Sequence, residues 1–210
     1  MEIYLIRHGQ TLWNKEFRWQ GSMDTDLDDI GLGQAALVAQ RLLGCDIMTI
    51  YTSPLKRARV TAGILGRVLR LEPFLHEDLR EVAFGHWEGL TLSEIREFHA
   101  EQLGIWESEP EKDPGGGIES FKKLSSRATT ALNDICDRHS NDETIAIVTH
   151  GAWVRALILY ILNIPLDRRL GFDLDNAGVS ILRYDVNKDR LKIKTLNECS
   201  FLYRKDAIHA

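Results

Sequence analysis

The chain has 210 residues, 44% of them hydrophobic and 27% charged, with a formal net charge of −5 at neutral pH. That composition excludes a disordered chain and supplies a full hydrophobic core for one large domain. The acidic balance, with no Lys/Arg run and no basic tail, removes the electrostatic footprint of a nucleic-acid binder, and no apolar stretch reaches the ~18 residues of a membrane span.

The N-terminal run MEIYLIRHG is apolar but short, and it is closed by charge without a basic n-region or a small-residue cleavage site. It predicts a buried strand over 2–6. Apolar residues at helical spacing (Leu32, Ala35, Ala36, Ala39, Leu42, Leu43) predict a helix over 31–43. A strand follows at Ile47–Thr52, and then a helix at Lys56–Leu69 whose start is marked by Ser53-Pro54. The next expected helices are 92–102 and, after the breaker run Pro114-Gly115-Gly116-Gly117, 120–139. Thr144–Thr149 is a short apolar strand, and 152–162 is a buried helix ending near Pro165. Segments 179–184 and 191–196 flank Asn187-Lys188-Asp189 as a hairpin. Strands alternating with helices, with no internal repeat and no linker, predict a single α/β unit over 1–210 with a largely parallel sheet and an antiparallel edge. Cys45, Cys136 and Cys199 are odd in number and far apart, which fits neither a disulfide framework nor a metal knuckle, so a reducing cytoplasmic setting is expected.

In such a sheet, ligands sit beyond the carboxyl ends of the strands. The first strand runs into Arg7-His8-Gly9-Gln10-Thr11, the second into Ser53-Pro54-Leu55-Lys56-Arg57-Ala58, and the strand at Thr144–Thr149 into His150-Gly151-Ala152, with Arg155 one turn on. Taken singly, each His or Arg reads as a structural or solvated residue. Gathered at one rim, two His and two Arg repel each other and call for an anion between them. A phosphoryl group matches guanidinium forks bidentately.

The same residues resemble the histidine phosphatase superfamily, also called the phosphoglycerate mutase-like family. Leu5-Ile6-Arg7-His8-Gly9-Gln10-Thr11 with Asn14 is similar to its first signature, and Ser53-Pro54-Leu55-Lys56-Arg57-Ala58-Arg59-Val60-Thr61-Ala62 to its second. Leu79-Arg80-Glu81 with Phe84-Gly85-His86-Trp87-Glu88-Gly89 is similar to its third, and Thr149-His150-Gly151 to its fourth. The resemblance implies a three-layer α/β/α sandwich with a mostly parallel mixed sheet and a small helical cap at about 88–118. It implies His8 as the nucleophile, with Arg7, Arg57 and His150 gripping the transferring oxygens. Asn14, Gln20, Gly21 and Gly151 assist at the phosphate, and Glu81 serves as proton donor and then base, with no metal and no cofactor. The chemistry explains these types, because surrounding positive charge keeps an imidazole neutral and nucleophilic while fixed donors stabilise the charge spread over the equatorial oxygens.

Glu88 reads instead as a structural hydrogen-bond partner near the Trp87 turn. Trp13, Trp87 and Trp153 read as packing residues, whereas Trp19 and Trp106, in loop-like stretches, are expected at the pocket mouth against the organic part of a substrate. His76, His86, His99 and His139 read as surface residues, with His86 near enough to Glu81 to influence it. Two stretches depart from the family pattern. Asp24-Thr25-Asp26-Leu27-Asp28-Asp29 stands where relatives commonly carry Pro, and Ile118 is interposed in Gly116-Gly117-Ile118-Glu119-Ser120.

Phe84-Gly85-His86-Trp87-Glu88-Gly89 resembles the phosphatase branch, and the short acidic segment 90–113 offers few cations for a second phosphate. The expected activity is hydrolysis of a small phosphorylated metabolite, of the α-ribazole phosphate or broad-specificity type. Cofactor-dependent phosphoglycerate mutase is the alternative. Phe84, at a position where phosphoserine phosphatases of this family carry His, weighs against that branch. A metal-dependent hydrolase lacks its HExxH spacing here, and a catalytically dead binding module would have lost one of His8, Arg57, Glu81 or His150. An enzyme of this size could form a homodimer.

Overall fold

The computed structural model describes residues 1–168, 171–185, 188 and 190–203. Strand β1 (Glu2–Arg7) shows why the sheet lies between two layers. Ile3 and Leu5 enter one core cluster and Tyr4 and Ile6 the other, as the two-residue period of a strand requires. Strand β4 (Thr144–Thr149) repeats the pattern, Ile145 and Ile147 facing one way and Ala146 and Val148 the other. A strand buried on both faces reads as an unbroken apolar run, which is how both appear in the sequence.

Among the described residues the sheet has six strands in the order β3-β2-β4-β1-β5-β6, with β2 at Ile47–Thr52, β3 at Phe74–Leu75, β5 at Val179–Asp185 and β6 at Arg190–Glu198. The first four strands are mutually parallel, and β5 and β6 complete the sheet as an antiparallel pair. The hairpin expectation is met by this pairing, while its turn residues Asn187 and Asp189 lie outside the described residues.

One face is covered by α2 (Asp29–Arg41) and α3 (Lys56–Leu69), through Val38, Ala39, Ala58, Ala62 and Leu65. The other carries α4 (Leu92–Phe98), α5 (Ala100–Ser108), α6 (Phe121–Cys136) and α7 (Gly151–Ile161) around a core that includes Trp87, Phe121, Trp153 and Leu157. A four-residue helix, α1 (Leu12–Lys15), follows β1 and is closed by a capping box between Thr11 and Asn14.

Several boundaries differ from expectation for local reasons. Helix α2 begins two residues early because Asp28 caps it, accepting from the Gly31 amide at 2.8 Å. The single helix expected over 92–102 is two helices, broken at His99, whose φ of −139° is not helical, and α5 runs on to Ser108. Trp106 therefore stands on a helix rather than in a loop. Strand β3 is too short to show any period in sequence. His139, expected at the surface, has a side chain only 8% exposed, bonded to Tyr51 and Glu143 at 2.9 and 2.6 Å.

Candidate active site

Strand register assembles the site. Arg7 pairs with Thr149 across β1 and β4, and Thr52 with Val148 across β2 and β4, so the three adjacent strands end side by side in His8, His150 and Ser53. The turns are fastened by backbone bonds from the His8 amide to Thr149 O at 3.0 Å and from the Ser53 amide to Val148 O at 3.0 Å. Close packing behind His8 explains Gly9 and Gly31, since a Cβ on Gly9 would lie 2.5 Å from Gly31 O.

His8 is buried at 2% exposure, and its Nδ1 lies 2.7 Å from Gly9 O, a carbonyl that can only accept. Nδ1 therefore carries the proton, and Nε2 holds the lone pair. Arg57, fully buried on the second residue of α3, donates Nε–H toward His8 Nε2 at 3.3 Å. Its Nη1 and Nη2 donate to Met23 O and Gly21 O at 2.6 and 2.7 Å, which ties the loop after Gln20 to the nucleophile candidate. Burial first, and then the charges of Arg57 and Arg7, hold the His8 pKa well below the usual histidine value. Burial also lowers Arg57, to about 10.

His150 lies behind His8, with ring centroids 5.1 Å apart in an edge-on arrangement. It is wholly buried and is not among the residues that line the cleft. Its Nε2 is 2.8 Å from Ser53 Oγ, while that oxygen already accepts from the Leu55 amide at 3.2 Å. When Ser53 donates to Nε2, the proton of the neutral ring sits on Nδ1. Among the described residues, the buried side-chain polar atoms without a hydrogen-bond partner are Arg7 Nε, His150 Nδ1 and Trp87 Nε1, and two of these three belong to this site. An unpartnered buried donor costs about 1–3 kcal/mol, so each of these two is a group that an acceptor oxygen would stabilise. Gly151 gives Arg7 its room, because a Cβ there would approach Arg7 Nε to 3.3 Å. Arg7 also donates Nη1 to Leu174 O.

The pKa of His150 is held well below the usual value by burial, followed by Arg57, His8 and Arg7. Both histidines are neutral when folded and take up protons on unfolding below about pH 6.5, so their contribution is complete above that pH and is lost as the pH falls. Denaturant unfolding between pH 7.5 and 5.5 is expected to show stability declining by up to ~1.4 kcal/mol per pH unit for each histidine. His150→Asn should remove one such contribution, and an unchanged slope in the variant would contradict this assignment.

Glu81 faces the same cleft. Its Oε1 accepts from the Val82 amide at 3.0 Å and its Oε2 from the Ala152 amide, at the start of α7, at 3.3 Å. Glu88 is used differently. Its Oε1 accepts from the Ser22 amide at 2.8 Å, Ser22 Oγ at 2.7 Å and the Phe84 amide at 3.2 Å, which clamps the loop after Gly21 to the Phe84 turn. Gly21, at φ +52°, permits this, since a Cβ would sit 2.2 Å from Glu88 Oε1. His86 bridges Gly116 O and Gln102 Oε1, each at 3.0 Å, and no hydrogen bond links it to Glu81.

The cleft measures about 350 Å³, and Arg7, His8, Asn14, Gln20, Gly21, Arg57, Glu81 and Gly151 line it together with Trp19 and Trp106. Trp19 packs at 4.5 Å from Phe84 and 5.4 Å from Trp106, so part of the wall is aromatic. Asn14 Oδ1 accepts from Thr11 and from Asn176 Nδ2, and Gln20 Oε1 accepts from Thr25. Sequence reasoning missed Arg18, Phe84, Phe121 and Leu174 as wall residues, and noted Arg155 without placing it in the site. It also missed Asn176, whose Nδ2 is 3.1 Å from both His8 O and Asn14 Oδ1. The available signal was the Asp175-Asn176-Ala177-Gly178 turn before β5, in which Ala177 has φ +60°. Among the described residues no three His, Cys, Asp or Glu side chains gather as a metal site, and no helix is long and apolar enough to cross a membrane.

The family model of the histidine phosphatase superfamily (branch 1) matches residues 3–198. Phosphoglycerate mutase-like protein 4 of Arabidopsis thaliana is 42% identical over 209 residues, covering 96% of this chain and 89% of its own. Metal-independent phosphoserine phosphatase of the same plant is 37% identical, with 76% and 68% covered. The solved structure of Bacillus stearothermophilus YhfR superposes with a TM-score of 0.89 at 32% identity, covering 96% of this chain and 98% of that one. Whole-length matches in sequence and in structure, over a sheet whose strand ends carry the family's signatures, establish that the chain belongs to the histidine phosphatase superfamily, branch 1, as a phosphatase with a phosphoglycerate mutase-like α/β fold.

Proposed function

We propose that the protein hydrolyses small phosphomonoesters through a phosphohistidine on His8, without a metal ion. The observation that carries this reading is the polarity of the His8 ring: Nδ1 is committed to Gly9 O, which leaves the Nε2 lone pair facing Arg57 beside the unpartnered donors of Arg7 and His150. Nε2 attacks phosphorus as the ester P–O bond breaks, and the phosphoryl group displaces the long Arg57 contact. Arg7, Arg57 and His150 meet its oxygens, the two arginines with preorganised positive charge and the neutral His150 as a hydrogen-bond donor. Glu81 gives its proton to the departing alkoxide. A water then attacks the phosphohistidine, losing its proton to Glu81, so that orthophosphate leaves and both groups return to their starting states.

The aromatic wall of Trp19, Phe84, Trp106 and Phe121 supports an organic portion with a flat or apolar face, as in an α-ribazole phosphate-type substrate or the mixed substrates of a broad-specificity enzyme. Segment 88–118, which contributes Trp106, acts as the cap over that portion. The phosphoglycerate mutase-like relative favours a second reading, in which the phosphoryl group returns to another hydroxyl instead of water.

A screen over phosphoglycerates, phosphoserine, a nucleoside-like monophosphate and p-nitrophenyl phosphate tests the proposal. Free phosphate should be released in the presence of EDTA, and vanadate should inhibit. Isomerised phosphoglycerate without phosphate release would favour the mutase, and activity lost on chelation but restored by metal would overturn the metal-free mechanism.

A further inference from the structure

Glu81 must exchange a proton twice per turnover, so it cannot be locked in place by a strong ion pair of its own. Its position has to be imposed through the backbone, and the structure does this from α6. Arg127 donates Nη1 to Asp78 O and to Arg80 O, both at 2.8 Å, and Nη2 to Glu81 O at 3.3 Å. Its Nε and Nη2 complete a bidentate pair with the two oxygens of Glu119 at 3.1 and 2.8 Å. A guanidinium has five N–H groups, and these five bonds use all of them. Leu79 O, the remaining carbonyl of the run, accepts from Thr149 Oγ1 at 2.7 Å, and Asp78 O accepts a second bond from Trp153 Nε1 at 2.8 Å. Every carbonyl from residue 78 to residue 81 is thus held by a side chain.

Glu119 extends the grip past the candidate acid. Its amide donates to Ala83 O at 2.7 Å, and its Oε2 accepts from the Ala83 amide at 3.3 Å. The side chains of Arg127 and Glu119 are 21% and 16% exposed, on the side of a second hollow that Glu81 also lines. Because Glu119 balances the Arg127 charge, the guanidinium can hold the Glu81 backbone without pairing with the Glu81 carboxylate. Neither residue lines the cleft.

We infer that Arg127, oriented by Glu119, is a positioning residue that fixes Glu81 for proton transfer. The inference rests on Glu81 acting as the proton donor in the proposed hydrolysis. A misplacement of about 1 Å in a reacting group can cost on the order of 10²-fold, and in kcat/KM, which reports transfer to His8 and not the shared hydrolysis that follows, the loss should fall only on substrates that need the proton. Arg127→Gln is therefore expected to lower kcat/KM about 10–100-fold for an alkyl phosphate, mainly in kcat, with p-nitrophenyl phosphate changing by less than about threefold. In a Glu81→Gln background the same substitution should have no further alkyl-selective effect, a non-additivity that a merely structural residue would not produce.

Arg127→Lys keeps the charge and part of the carbonyl contact, so it should fall between wild type and Arg127→Gln, and it keeps the test readable if Arg127→Gln folds poorly. Equal losses on both ester classes, or losses that add to those of Glu81→Gln, overturn the inference. Quenching wild-type enzyme during turnover of p-nitrophenyl phosphate separates the two levels. No acid-labile phosphate on His8 would defeat the proposed hydrolysis itself, whereas its presence alongside class-independent losses would defeat only the role of Arg127.

Discussion

His8→Ala is expected to lose turnover on the order of 10⁴–10⁶-fold, the scale that follows removal of a covalent nucleophile, while its unfolding transition stays cooperative. The ring's hydrogen bonds are those to Gly9 O and from Arg57, so its loss opens space at the cleft floor and leaves the apolar clusters on either side of the sheet intact. Wild-type enzyme quenched during turnover should carry acid-labile, base-stable phosphate, and peptide mapping should place it on His8. Unimpaired turnover by the variant, or phosphate mapped to another residue, would end the phosphohistidine mechanism.

The second large effect separates the two glutamates near the cleft. A general acid matters in proportion to how poor the leaving group is, so Glu81→Gln should lower kcat/KM for alkyl phosphates by roughly 10²–10⁴-fold and for aryl phosphates far less, while kcat falls for both classes wherever the shared hydrolysis of the phosphohistidine limits turnover. Gln retains the size of the side chain and an oxygen to accept from Val82 or Ala152, so the missing element is the proton. Glu88→Gln should cost less and affect both classes alike, because Glu88 Oε1 is occupied by Ser22 and Phe84 in a clamp between loops. An exchange of these behaviours would make Glu81 structural.

The strand ends were legible because in β1, β2 and β4 an apolar or β-branched run stops and polar chemistry begins at once, which is a local event in the chain. That alone brought His8, His150 and Arg57 to one rim. Trp106 was harder, since the break at His99 hid the continuation of α5 behind a sequence that reads as a helix ending early. The Arg127–Glu119 pair was not legible, and Asn176 showed only as a member of the turn before β5. Their partners are mostly backbone carbonyls distant in sequence, and a carbonyl has no side-chain identity to read. The same limit applies to Asp28, whose capping role shows only once the helix start is known.

The placement of His8 and His150 directly after β1 and β4, strands with a partner on each side, divides the molecule by the cost of local opening. Amides of these inner strands, including the His8 amide bonded to Thr149 O, should exchange with deuterium only through global unfolding. The segment bearing Trp106 enters the core through Ile95, Leu103 and Trp106 and adds no strand to the sheet, so its amides should exchange through cheaper, partial openings. Reactivity and recognition would then belong to separate cooperative units. Substitutions that reshape recognition could accumulate on α4 and α5 without drawing down the stability that holds the reactive histidines, a division that lets one chemical centre acquire new substrates over evolutionary time.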